Sequence, residues 1–224
     1  MSRIIGVASA DLLAGTSAPE AARQPIGDGA VVLRGFAADD EAALLAAVRQ
    51  VAATAPFRQM TTPGGYVMSV AMTNCGRAGW ITDRKGYRYA ALDPLTERPW
   101  PALPPLVRRL AERAAAAAGF DDVAPDSCLI NRYEPGTRLS LHQDRNERDF
   151  AAPIVSVSLG LPAVFLFGGP RRGDRPRRVP LASGDIVVWG GPARLAFHGV
   201  DPLAEGDHKL TGNCRINLTF RKAL

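Results

Sequence analysis

The sequence predicts a mainly β (α+β) fold, a double-stranded β-helix or jelly roll with flanking helices, and three observations point there. Strand-like runs crowd the chain from Ser127 onward, separated by short turn signals. Helical periodicity is confined to two stretches, both before that point. The length, 224 residues, suits one large β domain with a modest addition.

Taken in order, residues 1–15 hold a short apolar stretch interrupted by Asp11, without a signal-peptide cleavage pattern, and read as a frayed terminus within an unassigned segment, 1–25. Residues 26–224 then read as a single domain. Within it GAVVLRGF (29–36) is strand-like between turn-forming glycines. Asp39 and Asp40 offer caps for a helix whose Leu44, Leu45, Val48 and Val51 recur at helical spacing until Pro56. Residues 57–100, with prolines, glycine pairs, aromatics and short strand-like pieces such as 66–72, read as a strand-and-loop flap. A second helix covers 103–118, rich in Ala and Arg and closed by Gly119 at the C-cap position. Both helices are expected outside a sheet. Strands at 127–133, 137–142, 153–160, 163–168, 185–189, 193–198 and 213–221 make up a core spanning about 127–222.

Composition narrows the function classes. Apolar residues make up 46% and charged residues 22%, and no apolar run is long enough to span a bilayer, so a cytoplasmic protein without a membrane anchor is expected. Cys75, Cys128 and Cys214 are odd in number and far apart, which fits reduced thiols better than a disulfide framework or a zinc knuckle. A net charge of +5 favours an acidic partner, though weakly.

Chemistry concentrates in the C-terminal half. In LSLHQD, His142 and Asp144 stand two apart, so on a strand they project from the same face. With His198 in LAFHGV they supply two imidazoles and one carboxylate, the facial triad of non-haem Fe(II) oxygenases. In CRINLTFRK, Ile216, Leu218 and Phe220 alternate with Arg215, Asn217, Thr219 and Arg221, so one face is apolar and the other a polar ladder, which a half-exposed edge strand would also show. Such a ladder suits a dianion, because guanidinium grips carboxylate in a two-pronged fork. 2-Oxoglutarate is such a dianion, and its keto acid end chelates iron. Asn131 and Tyr133 share a strand face, as a common ligand requires.

The segments PFRQMTTPGGYVMSVAMTNCG, CLINRYEPGTRLSLHQD, APIVSVSLGLPAVFLFGG, GDIVVWGG and CRINLTFR give the chain a close resemblance, over about 28–222, to the bacterial AlkB family of Fe(II)- and 2-oxoglutarate-dependent dealkylases. The pattern NxY…HxD…H…RxNxTFR is its specific part. The resemblance implies Fe(II) on His142, Asp144 and His198, O2 as co-reactant, and 2-oxoglutarate held by Asn131, Tyr133, Arg215, Asn217 and Arg221. Arg215 would take the distal carboxylate, with Arg221 and Asn131 nearer the metal-bound end, and the division between the two arginines stays open. It further implies that 57–100 is a nucleotide-recognition flap, that Trp80, Tyr87, Arg88, Tyr89 and Arg172 hold a damaged nucleotide, and that Met72 and Thr62 line its approach.

The implied activity is direct repair, in which bases such as 1-methyladenine and 3-methylcytosine in single- or double-stranded DNA, or in RNA, are demethylated by a monomer. Succinate, CO2 and formaldehyde are released. An aromatic ring suits these bases, which are cationic and gain cation-π attraction on top of stacking. An alkylated Watson–Crick edge also lowers the cost of flipping the base. Trp80 could instead fill the core. Arg171, Arg172, Arg175, Arg177 and Arg178 crowd one hairpin, a phosphate clamp or simply a solvated cluster. The chain departs from the best-known family members at Asn146, where they carry an acidic residue that touches the base. The alternatives are a 2-oxoglutarate-dependent hydroxylase of a small molecule or protein, and a non-catalytic nucleic-acid-binding barrel. Iron-dependent 2-oxoglutarate turnover separates the second from the first reading.

Overall fold

The computed structural model describes residues 22–224. The chain runs β1 (Arg23–Gly27), β2 (Ala30–Leu33), α1 (Glu41–Thr54), β3 (Arg58–Thr61), β4 (Val67–Gly76), β5 (Gly79–Asp83), β6 (Gly86–Ala90) and α2 (Pro105–Ala117). It continues β7 (Ser127–Tyr133), β8 (Leu139–His142), β9 (Ile154–Gly160), β10 (Ala163–Phe167), β11 (Arg177–Leu181), β12 (Ile186–Trp189), β13 (His198–Val200) and β14 (Arg215–Arg221). An eight-stranded sheet has the order β1-β2-β12-β9-β14-β7-β4-β3, a four-stranded sheet the order β11-β10-β13-β8, and β5 pairs only with β6.

Alternation along β14 explains the layering. Ile216, Leu218 and Phe220 point out of the large sheet onto a cluster with Leu44, Leu45 and Val48 of α1 and Val107 and Leu110 of α2. Arg215, Asn217, Thr219 and Arg221 therefore point the other way, toward the small sheet, and are buried. The strand is central, paired with β7 on one side and β9 on the other, so its polar ladder lies inside the molecule. The second apolar cluster fills the space between the sheets with Val32, Val187 and Trp189 from one and Phe165, Phe167 and Val179 from the other.

Both helices lie where their periodicity places them. The α1 stripe of Leu44, Leu45, Ala47, Val48 and Val51 is buried. Pro105 opens α2, and Gly119, at φ +91, ends it in the left-handed region that glycine tolerates. Asp39 and Asp40 differ from expectation: a 3-10 turn over Ala38–Asp40 precedes α1, neither side chain caps a backbone N–H, and Asp40 faces Arg113 at 3.8 Å.

Four further expectations need correction. The first strand begins at Arg23, inside the stretch left unassigned, because its residues pair with β2, while the frayed reading of residues 1–15 lies outside the described residues. Residues 57–76 are no separate flap: β3 and β4 extend the large sheet beyond β7, and only the hairpin β5–β6 stands apart. β11 was not foreseen, since Pro176 and Pro180 argue against a strand; Pro180 is tolerated because β11 is an edge. The expected strand at 193–198 is instead a 3-10 turn at Gly191–Ala193 followed by a strand that only starts at His198.

Candidate active site

A cavity of about 1000 Å³ opens between the two sheets. His142 on β8 and His198 on β13 are direct cross-strand partners, with ring centroids 4.3 Å apart. Each Nδ1 lies against the carbonyl two residues back, Ser140 at 2.8 Å and Ala196 at 3.0 Å. Those acceptors set the tautomer, with Nδ1 protonated and the Nε2 lone pair facing the cavity. Asp144 sits opposite, its two oxygens 3.8 Å from the two Nε2 atoms. One ligand atom from each residue falls within 4.8 Å of the others, a spacing that could hold a divalent metal on one face.

Electrostatics keep His198 and Asp144 in metal-ready forms. Burial and the neighbouring His142 push His198 down to about 3, so its ring is neutral at physiological pH. Burial opposes ionisation of Asp144, yet the Arg221 guanidinium, with His198 and His142, holds its carboxyl well below the usual carboxylate range. Arg221 bonds Asp144 Oδ2 through Nε at 2.8 Å and Nη2 at 2.6 Å.

Behind the triad stands the ladder. Asn217 is the cross-strand partner of Asn131, and Arg215 of Tyr133, so four of the five residues expected to hold 2-oxoglutarate form two adjacent rungs, and Arg221 follows along β14. Asn131 donates to Asn217 Oδ1 at 3.2 Å, while Asn217 donates to Ser156 Oγ at 2.8 Å. Arg215 is 1% exposed, lies over the Tyr133 ring at 5.0 Å and donates from Nη2 to Ser158 Oγ at 2.9 Å. Arg215 Nε and Nη1, Arg221 Nη1 and Asn131 Oδ1 are buried without a hydrogen-bond partner among the described residues. Unsatisfied buried guanidinium N–H groups are costly and call for an anionic ligand. A small dicarboxylate with a keto group meets that need, so the donor set fits 2-oxoglutarate.

The rim carries the nucleotide-recognition candidates, and the structure divides them. Thr62, Met72, Trp80, Tyr87, Asn146 and Arg172 line the cavity. Trp80 and Tyr87 stack at 5.7 Å with planes 22° apart, and the Trp80 indole N–H donates to Asn146 Oδ1 at 3.2 Å. Arg88 turns away, its guanidinium 2.7 Å from Asp83 on the same hairpin. Tyr89 lies behind the cavity, its hydroxyl donating to Glu147 at 2.6 Å. In the basic hairpin Arg171 pairs with Asp174 and Arg178 with Asp201, and Arg172 lies over Phe197 at 5.1 Å.

Residues that sequence reasoning passed over hold these groups in place. The Asn74 side chain bonds both the backbone N–H and carbonyl of Trp80, each at 3.0 Å. At Gly79 a Cβ would come within 2.4 Å of the Trp100 ring, so only glycine lets that ring pack beneath the hairpin. Glu147 and Arg194 are buried partners at 3.2 Å, and Arg194 also donates to the Asp144 carbonyl at 2.8 Å. Spacing from Asp144 gave no signal for either, since both residue types are ordinarily exposed.

Comparison with known proteins agrees with this geometry. Residues 29–221 match the family described as the 2OG-Fe(II) oxygenase superfamily. The chain is similar to the alpha-ketoglutarate-dependent dioxygenase AlkB of Escherichia coli (strain K12), 58% identical over 201 residues, 90% of this chain and 93% of that protein. It is also similar to the nucleic acid dioxygenase ALKBH1 of Homo sapiens, 39% identical over 101 residues, 44% of this chain and 26% of that protein. The solved structure of OsALKBH1, 27% identical, superposes with a TM-score of 0.78 and covers 90% of this chain and 100% of that one. The enzyme class is accordingly an Fe(II)-, 2-oxoglutarate- and O2-dependent dioxygenase, and the chain belongs to the AlkB family within the 2OG-Fe(II) oxygenase superfamily.

Proposed function

We propose that this dioxygenase demethylates N-alkylated bases such as 1-methyladenine and 3-methylcytosine in DNA, and in RNA, as a cytoplasmic monomer whose residues 23–224 act as one unit. One observation carries the reading: a stacked Trp80–Tyr87 pair stands over the same cavity that holds the His142, Asp144 and His198 cluster and the unpaired arginine donors. That human ALKBH1 is called a nucleic acid dioxygenase supports the substrate class.

His142, Asp144 and His198 would hold Fe(II) through Nε2, a carboxylate oxygen and Nε2. When bound, the metal with O2 and 2-oxoglutarate supplies the oxygen atom that hydroxylates the N-methyl carbon, giving succinate and CO2, and the hydroxymethyl base then releases formaldehyde. Arg215 receives the distal carboxylate with its free Nε and Nη1, over the ring of Tyr133. Arg221 and Asn131 orient the inner end, and Asn217 keeps Asn131 fixed. Trp80 and Tyr87 give a flat, electron-rich surface for a cationic base, and Asn146 meets its edge. Arg172 offers a charge for backbone phosphate, with Thr62 and Met72 bounding the entrance.

The test is direct. Purified protein is given Fe(II), 2-oxoglutarate and air with oligonucleotides carrying 1-methyladenine, 3-methylcytosine or no lesion, and base mass and formaldehyde are followed. Loss of the methyl mass with matching formaldehyde is expected. Succinate formation without any change in the oligonucleotides would direct attention to a small-molecule or protein substrate.

A further inference from the structure

We propose that Glu147 is a positioning residue of the dioxygenase reaction: from behind the cavity it balances Arg221 against Asp144 and, through Tyr89, fastens the Trp80-bearing hairpin to the same carboxylate. The inference rests on the metal and nucleotide assignments of the proposed function. Glu147 does not line the cavity, so it touches neither substrate nor cosubstrate and acts through its neighbours.

Its side chain is 1% exposed and has three partners. Oε2 faces Arg194 Nη2 at 3.2 Å, Oε1 faces Arg221 Nε at 3.5 Å, and Oε1 accepts the Tyr89 hydroxyl at 2.6 Å. Arg194 in turn donates to the backbone carbonyls of Asp144 at 2.8 Å and Ala152 at 3.0 Å. Two guanidiniums and two carboxylates thus close a buried group with no net charge, one member of which is a proposed metal ligand. Remove the charge of Glu147 and the group carries an extra positive charge beside a dication. Arg221 would then also bind Asp144 unopposed, in competition with the metal.

The second link runs to the rim. Tyr89 on β6 is the cross-strand partner of Trp80 on β5. The Trp80 indole bonds Asn146 and the Tyr89 hydroxyl bonds Glu147, so consecutive residues of the segment that follows Asp144 grip the hairpin from two strands. Burial, with Glu147 nearby, raises the Tyr89 phenol well above its ordinary range, and the hydroxyl stays a donor. An aromatic ring for packing alone would not need that oxygen.

The experiment uses the full chain stripped of metal. Mn(II) binding is read by electron paramagnetic resonance without turnover, binding of a 1-methyladenine oligonucleotide by anisotropy under the same anaerobic conditions, and folding by Tm. Glu147→Gln is expected to weaken Mn(II) about tenfold or more, the scale for residues that orient metal ligands, with Glu147→Asp recovering part of the loss. Tyr89→Phe is expected to weaken the methylated oligonucleotide several-fold while leaving Mn(II) within about threefold. The double variant should bind the oligonucleotide no worse than the weaker single variant, since both break one link. A Glu147→Gln protein that loses Tm but binds Mn(II) as the parent does would make Glu147 a structural ion pair and overturn the proposal. Should Glu147→Gln fail to fold, Tyr89→Phe decides: oligonucleotide affinity equal to the parent's overturns it. An unaltered chain that leaves methylated oligonucleotides untouched defeats the proposed function instead, whatever the variants do to Mn(II).

Discussion

The two halves of the cavity are built by opposite rules. On the cosubstrate side, Asn131, Tyr133, Arg215, Asn217 and Arg221 lie on β7 and β14, central strands hydrogen-bonded on both edges, and all are buried. On the nucleotide side, Trp80 and Tyr87 ride on a two-stranded hairpin, Asn146 and Arg172 are exposed on loops, and Tyr66 near the entrance is 78% exposed. Donors on the first side wait unpaired in fixed positions, which favours one small ligand of defined shape. Groups on the second are held by a few side-chain bonds, such as Trp80 to Asn146 and Asn74, and keep the freedom to settle around a polymer. The difference teaches that, on the proposed function, chemistry and substrate choice are separable: the wall would serve the cosubstrate and the rim the lesion.

Substitutions can break or sharpen that separation. His142→Ala, Asp144→Ala or His198→Ala should remove several kcal/mol of transition-state stabilisation, roughly 10³-fold or more in kcat/KM, with far-ultraviolet circular dichroism unchanged. Activity near the parent value in metal-controlled assays would refute the triad. Arg215→Lys comes next: a point charge replaces a fork, and 2-oxoglutarate affinity should fall by about 2 kcal/mol while oligonucleotide affinity holds. If both affinities fell together, wall and rim would not be separable.

Trp80→Ala should act in the opposite sense, costing about 1–3 kcal/mol in binding a methylated strand and leaving the KM for 2-oxoglutarate in place. Equal losses on methylated and unmethylated strands would make Trp80 a scaffold residue. The smallest effect belongs to Asn146→Asp. A carboxylate would still accept the Trp80 N–H and would add attraction for a cationic base, so kcat/KM on 1-methyladenine relative to neutral 1-methylguanine should rise by about 1 kcal/mol. A ratio that stays fixed would show that position 146 serves only to hold Trp80.

Legibility in the sequence followed the same division. Period-two alternation in 215–221 and the HxD pair point to a wall and a triad because each residue's neighbours two positions away share its face. Arg88 and Tyr89 could not be placed that way. Whether a rim residue meets the cavity depends on which partner claims it first, and Asp83 claims Arg88 while Glu147 claims Tyr89.

By itself the sequence determined the layered β architecture, the two outer helices, the identity of the metal-binding set and the polar face of β14, all properties of local periodicity and residue chemistry. Tertiary structure alone decided that this polar face is turned inward, that β3 and β4 join the large sheet, and that Glu147 and Arg194 close a buried charge group around Asp144. Alternation gives a strand two faces without saying which is covered. Burial of a charged side chain likewise depends on opposite charges that meet only after strands distant in sequence have paired.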